Sequence, residues 1–203
     1  MRNGITVLFL HADPSRTSAR RELEDEMRAI GHAIHPDARN AVALVADFAA
    51  RARDLRSALL RHQPQVVHFA GYGESPFVIS LDDERGQPQA PGREALRELF
   101  GVARNSVRVV VLNGRDPLPA VEALSEVVDY AVGMDSPAGA GPALVFAGAF
   151  YTALARGRTV LTAFERGLGQ LEMAGIPHAE TPVRRIRRGV NLDATLLPPP
   201  DSL

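Results

Sequence analysis

The sequence predicts an α/β fold, a three-layer α/β/α arrangement around a mostly parallel central sheet. Two observations carry that prediction. Compact apolar runs at Ile5–Leu10, Val66–Phe69 and Val107–Leu112 have the length and β-branched content of buried strands. Between them lie stretches with helical periodicity, such as Leu23, Met27, Ile30 and Ile34 separated by Arg and Glu. Strands that alternate with helices form parallel neighbours through crossovers, and the crossovers cover both faces of the sheet.

The elements follow in order. Ile5–Leu10 is the first strand, stopped by His11-Ala12-Asp13-Pro14. A helix through Leu23–Ile34 follows, then a strand within Ala41–Phe48. Leu55, Leu59 and Leu60 mark a helix that ends near His62-Gln63-Pro64. Val66-Val67-His68-Phe69 is the third strand, stopped by Gly71-Tyr72-Gly73. Phe77–Leu81, before Asp82-Asp83-Glu84-Arg85-Gly86, reads as a strand entering a polar turn. Pro91–Phe100 is a short amphipathic helix, and Val107–Leu112 the central strand. Leu118–Val127 reads as helix, Tyr130–Gly133 as strand, and Pro142–Ala155 and Val160–Ala174 as helices. Residues 1–190 are expected to form one domain. Residues 191–203, with Leu197-Pro198-Pro199-Pro200-Asp201, are expected to be a proline-rich tail or linker.

Composition excludes several functions. The chain has 203 residues, a net charge of -1 and no cysteine. Disulfides, thiolate metal sites and a cysteine nucleophile are therefore excluded. The near-neutral charge gives no general case for nucleic acid or membrane binding. All 23 basic residues are Arg, as a GC-rich genome favours. Arg184-Arg185-Ile186-Arg187-Arg188 is the one basic cluster and reads as a solvated edge. The apolar runs are too short to span a bilayer, and a cytoplasmic location is expected. Asp82-Asp83-Glu84 lacks the alternation of a calcium loop, and the six His lack metal-ligand spacing; no metal and no cofactor are expected. Gly139-Ala140-Gly141 precedes a helix but lacks the rest of a phosphate loop.

In such sheets, sites lie beyond the carboxyl ends of the strands. Two exits stand out, His68-Phe69-Ala70-Gly71-Tyr72-Gly73 and Val111-Leu112-Asn113-Gly114-Arg115-Asp116. With these exits the chain resembles the CHAT group of caspase-like peptidases, relatives of caspases and separases. That family ends one strand in His-Phe-x-Gly-His-Gly, whose second His is the catalytic base. It ends the next core strand in Leu-Asn-x-Cys, whose Cys is the nucleophile. The similarity extends in order from Leu8-Phe9-Leu10-His11-Ala12-Asp13-Pro14 through Asp54–Leu59 and Val128–Met134 to Phe146-Ala147, Phe150-Tyr151, Ala163-Phe164 and Gly175-Ile176-Pro177. It covers roughly residues 5–185, and it implies a caspase-like fold.

The departures fall on the chemistry. Tyr72 stands where the resemblance places the base, Arg115 where it places the nucleophile, and Ala140 where members often carry an acid. Tyrosine, with a reference pKa of about 10, is a poor general base at neutral pH. Arginine is a permanent cation and cannot attack a carbonyl. His68 lies inside the strand run and reads as a core histidine with a hydrogen-bonded ring. Ser75 reads as a turn residue. Asp116 reads as the cap of the following helix, with Pro117 in its first turn.

Gly71, Gly73, Asn113 and Asp116 are the candidate lining of the degenerate cleft around Tyr72 and Arg115. Arg115 has two readings. It pairs with an internal carboxylate and plugs the old site, or it binds an anion beside a helix N-terminus. The resemblance therefore implies a pseudopeptidase, a protein-binding scaffold or regulator in bacterial signalling or defence. Its expected partner is a protein, such as an active peptidase, a signalling module or a second copy of the chain. The competing expectations are a small-molecule or nucleotide-binding domain, or a hydrolase without a thiol.

Overall fold

The computed structural model describes residues 4–11, 17–34, 42–48, 51–71, 79, 81–83, 87–135, 141–176 and 182–197. A six-stranded sheet lies at its centre. It contains β1 (Ile5–His11), β2 (Val42–Phe48), β3 (Val66–Gly71), β6 (Val109–Gly114), β7 (Tyr130–Asp135) and β8 (Val183–Ile186), in the spatial order β2-β1-β3-β6-β7-β8. The first five of these are mutually parallel, and β8 runs antiparallel to β7. A separate antiparallel ribbon joins β4 (Leu81–Asp82) to β5 (Pro88–Gln89).

Side-chain alternation sorts the core into two layers. Val7, Phe9, Val66, Ala70, Val109, Val111, Val132 and Met134 face one side. There they pack with α1 (Thr17–Ile34), α5 (Gly141–Ala155) and α6 (Val160–Met173). Leu8, Leu10, Val67, Phe69, Val110, Leu112 and Ala131 face the other side. They meet α2 (Ala52–His62), α3 (Arg93–Gly101) and α4 (Leu118–Leu124). The strands are buried on both faces, which is why they read as continuous apolar runs. The fold is a three-layer α/β/α arrangement with a mostly parallel sheet.

Two glycines set helix positions. A Cβ on Gly133 would lie 2.6 Å from Val121 and 2.9 Å from Pro117, so α4 approaches β7 closely only because that side chain is absent. A Cβ on Gly167 would lie 2.4 Å from the Phe146 ring, and its absence seats α6 against α5.

The structure revises several expectations. The central strand is Val109–Gly114, two residues later than the apolar run suggested, because Val107 closes a turn through its N–H to Ala103. Leu81–Asp82 belongs to the small ribbon, while Phe77, Val78 and Ser80 lie outside the described residues. The basic cluster contributes β8. Within it, Arg184 lies over the Phe164 ring at 4.6 Å, Arg185 pairs with Glu122 at 3.9 Å, and Arg187 pairs with Asp129. These cations are therefore engaged by the fold more than a solvated edge requires. Asp129 also accepts from Arg108, so one nearly buried carboxylate ties β8 to the entry of β6. Residues assigned by sequence to the tail also contact the domain: Thr195 bridges Thr159, and Leu197 is buried in the core. Pro198–Leu203, the rest of the expected proline-rich tail or linker, lie outside the described residues.

Candidate functional site

The sheet brings the two strand exits together. β3 and β6 pair in register, with Ala70 opposite Asn113 and Gly71 opposite Gly114. Tyr72, Gly73 and Ser75 lie outside the described residues, as do Gly139 and Ala140. Arg115 and Asp116 follow Gly114 directly, and both are exposed. Among the described residues, Arg115 forms no ion pair, so it does not plug the site by pairing with an internal carboxylate there.

Asp116 is not the cap of α4. The cap position falls on Pro117, with no side-chain capping bond, and Asp116 sits at a φ of +44°. A residue before proline is disfavoured in the right-handed helical region, and Asp is among the residues that tolerate the left-handed one. Asn113 is also not an exposed cleft residue. It alternates with Val109 and Val111, so it points into the layer beneath α1 and α5 and is fully buried.

That buried position holds a polar cluster. His68 from β3 and Asn113 from β6 meet Glu26 from α1 and Tyr151 from α5. His68 Nε2 lies 2.9 Å from Glu26 Oε1, and His68 Nδ1 lies 2.9 Å from the Tyr151 hydroxyl. Asn113 Nδ2 donates to the same Glu26 oxygen and lies 3.4 Å from His68 Nε2. Phe9 stacks on the imidazole at 5.3 Å between centroids. All four polar side chains are no more than 1 % exposed.

One proton arrangement satisfies both ring nitrogens of His68. Tyr151 donates its O–H to His68 Nδ1, the His68 Nε2–H donates to Glu26 Oε1, and an Asn113 N–H donates to that oxygen. Burial, and then the Glu26 charge, push the Tyr151 hydroxyl well above its ordinary value of 10.0, so it stays protonated. Glu26 Oε2 and Asn113 Oδ1 are buried without a protein hydrogen-bond partner.

The chemistry open to this cluster is limited by access. A general base must come within hydrogen-bond reach of the proton it removes, and His68 is sealed by Phe9, Tyr151, Glu26 and Asn113. The cluster links α1, β3, β6 and α5 by hydrogen bonds through the core. His68 is therefore the core histidine expected from its place in the strand. Sequence reasoning missed Glu26 and Tyr151. Glu26 carried a readable signal, because it lies three residues after Leu23 and four before Ile30, on the apolar stripe of α1.

Among the described residues, no group of three or more His, Asp or Glu side chains is placed to hold a metal ion. His32 is exposed, His35 lies outside the described residues, and His62 pairs with Asp47 at 2.9 Å. Asp83 accepts from the Gln87 N–H and serves the β4–β5 turn. No described helix is long and apolar enough to cross a membrane. No protein-family model matches the chain, and no curated protein shows significant similarity to it.

Proposed function

We propose that this chain is a catalytically inactive, caspase-like domain of the CHAT type. It would act as a protein-interaction, scaffold or regulatory module in a bacterial signalling or defence system, with a cytoplasmic location. The observation that carries this reading is the pair of strand exits. They lie side by side in register, yet one continues into Arg115 in a chain that contains no cysteine. The resemblance places the nucleophile at Arg115 and the base at Tyr72. Losing both groups removes thiolate chemistry. The burial of His68 also withholds that imidazole from any substrate. The partner would be a protein: an active peptidase, a signalling module or a second copy of the chain.

Hydrolysis of a mixed peptide library by the purified chain, run beside Arg115→Ala, tests this reading. The expected result is no turnover above the uncatalysed rate in either protein. Turnover that disappears in Arg115→Ala overturns it.

The exposure of Arg115 favours one second reading, in which the exits bind an anionic small molecule or nucleotide, with or without hydrolysis by a group other than a thiol. Native mass spectrometry separates the two. A bound ligand of defined mass, lost in Arg115→Ala, supports the second. Ligand-free monomer or dimer peaks support the first.

A further inference from the structure

A groove of about 930 Å³ runs along the outer side of α5 and α6, on the face turned away from the sheet. The two helices run antiparallel, since Phe146 in the first half of α5 packs on Gly167 in the second half of α6. Leu144, Gly148 and Thr152 line the groove from α5 at helical spacing, and α5 carries no charged residue along its whole length. Arg166, Gly169 and Met173 line it from one face of α6. Met173 is 82 % exposed, so an unburied apolar side chain stands in the groove wall. A Cβ on Gly148 or Gly169 would meet nothing within 4 Å, so the fold's own packing requires glycine at neither position. Glycine inside a helix weakens it. What it permits there is the close approach of another backbone.

The two ends of the groove differ in charge. Arg156 and Arg158 stand in the connection after α5, and Arg166 follows in the first half of α6. Arg158 and Arg166 are exposed, and their side chains form no ion pair among the described residues. Leu144 and Met173 lie toward the opposite end, beside Glu172. Guanidiniums at one end and apolar side chains at the other complement a segment that is acidic at one end and apolar at the other. A second copy of the chain is a poor complement. In a two-fold contact through this face, α5 brings no carboxylate, and Glu172 is the one acid among the lining residues. The shape also selects a helix. Helical walls have spent their backbone groups internally, so an extended segment laid on them leaves its own N–H groups without partners, whereas a helix does not. Arg166 and Met173 lie about 10 Å apart along α6, the rise of about two helical turns.

We propose that the α5–α6 groove is the docking site for an acidic amphipathic helix of a partner protein. Carboxylates of that helix pair with Arg158 and Arg166. Its apolar side chains, about two turns further along, pack on Leu144 and Met173. Its backbone passes close over Gly148 and Gly169. The site does not rest on the reading of the strand exits, and its test does not involve them.

Selection from a displayed library of random peptides, each long enough for roughly four helical turns, tests the site on the full chain. The expected peptides carry Asp or Glu about two turns from an apolar stripe at helical spacing. Made with a fluorescent label, they are expected to bind the double variant Arg158→Glu with Arg166→Glu at least roughly tenfold more weakly than the native chain. Gly148→Leu and Gly169→Leu fill the groove, and each is expected to weaken binding roughly tenfold as well. Both changes raise helix propensity, and circular dichroism confirms that the variants fold. Arg56→Glu makes the same charge change at an exposed position of α2, across the sheet, and is expected to leave the affinity within roughly twofold. The proposal is overturned if no peptide is enriched, if the enriched peptides are basic or uncharged, or if Arg56→Glu weakens binding as much as the groove variants do. Native mass spectrometry supplies the remaining arm. A dimer that Gly148→Leu dissociates also overturns the partner helix and identifies a second copy as the occupant.

Discussion

His68 Nε2 and Glu26 Oε1 lie 2.9 Å apart, with both side chains at 0 % exposure. The contact joins β3 to α1 across the core, and Asn113 and Tyr151 complete it from β6 and α5. A polar group buried this deeply is costly unless its partners are in place. Removing the carboxylate leaves His68 and an Asn113 N–H without their acceptor. Glu26→Ala is expected to lose about 3–5 kcal/mol of stability. Glu26→Gln keeps an acceptor oxygen and is expected to lose about 1–2 kcal/mol. Urea unfolding followed by circular dichroism checks both values and their order.

Tyr151 makes the cluster sensitive to alkaline pH. Its folded-state pKa is raised above 10.0 by burial and by Glu26. Above about pH 10 the unfolded chain releases this proton while the folded chain holds it. The unfolded state then binds fewer protons, so stability falls as pH rises. Tyr130 is raised in the same direction, by burial first and then by Asp129, and it adds to the slope. Thermal melts from pH 8 to 11 are expected to show this decline. Tyr151→Phe has a shallower decline and, at pH 8, about 1 kcal/mol less stability from the lost hydrogen bond.

Close approach between α5 and α6 gives a steric prediction. The side chain in Gly167→Ala would meet the Phe146 ring, which also packs against Phe150 and Phe164. The expected loss is about 1–3 kcal/mol. Gly31→Ala in α1 is the control, because its Cβ would make ordinary contact with Leu44 at 3.8 Å. That change is expected to add about 0.5–1 kcal/mol through helix propensity. Chemical denaturation of both variants checks the opposite signs.

Asp129 is expected to hold the end of the sheet. It is 5 % exposed and pairs with Arg108 and Arg187. Asp129→Asn is expected to reduce stability by about 1–2 kcal/mol. Hydrogen exchange is expected to rise first in Val183–Ile186, because β8 has a single neighbouring strand. Uniform faster exchange across β6 and β7 contradicts that local role.

Much of the fold was readable from periodicity because buried parallel strands are apolar on both faces. Val66-Val67 and Val109-Val110-Val111 carry that pattern plainly. β8 was not readable: Val183-Arg184-Arg185-Ile186 is polar at its centre, and it is held by an Arg–aromatic contact and ion pairs rather than by an apolar run. The site was legible in part. Register placed Gly71 and Gly114 side by side, as the two exits suggested. The depth of Asn113 depended on strand alternation continuing past the apolar run, which composition does not reveal. Asp116 was misread because the proline after it governs its backbone more strongly than its capping chemistry does.

The degenerate-site reading is tested at positions 72 and 115, the residues that follow the paired strand ends Gly71 and Gly114 in the sequence. The direct measurement is the pH dependence of thiol alkylation in Arg115→Cys, with and without Tyr72→His, since no other cysteine competes. The account predicts that Tyr72→His lowers the thiol pKa at position 115 from about 8.5 to below roughly 7.5, as a neighbouring imidazolium does. Identical titrations near the free-thiol value in both variants would contradict it.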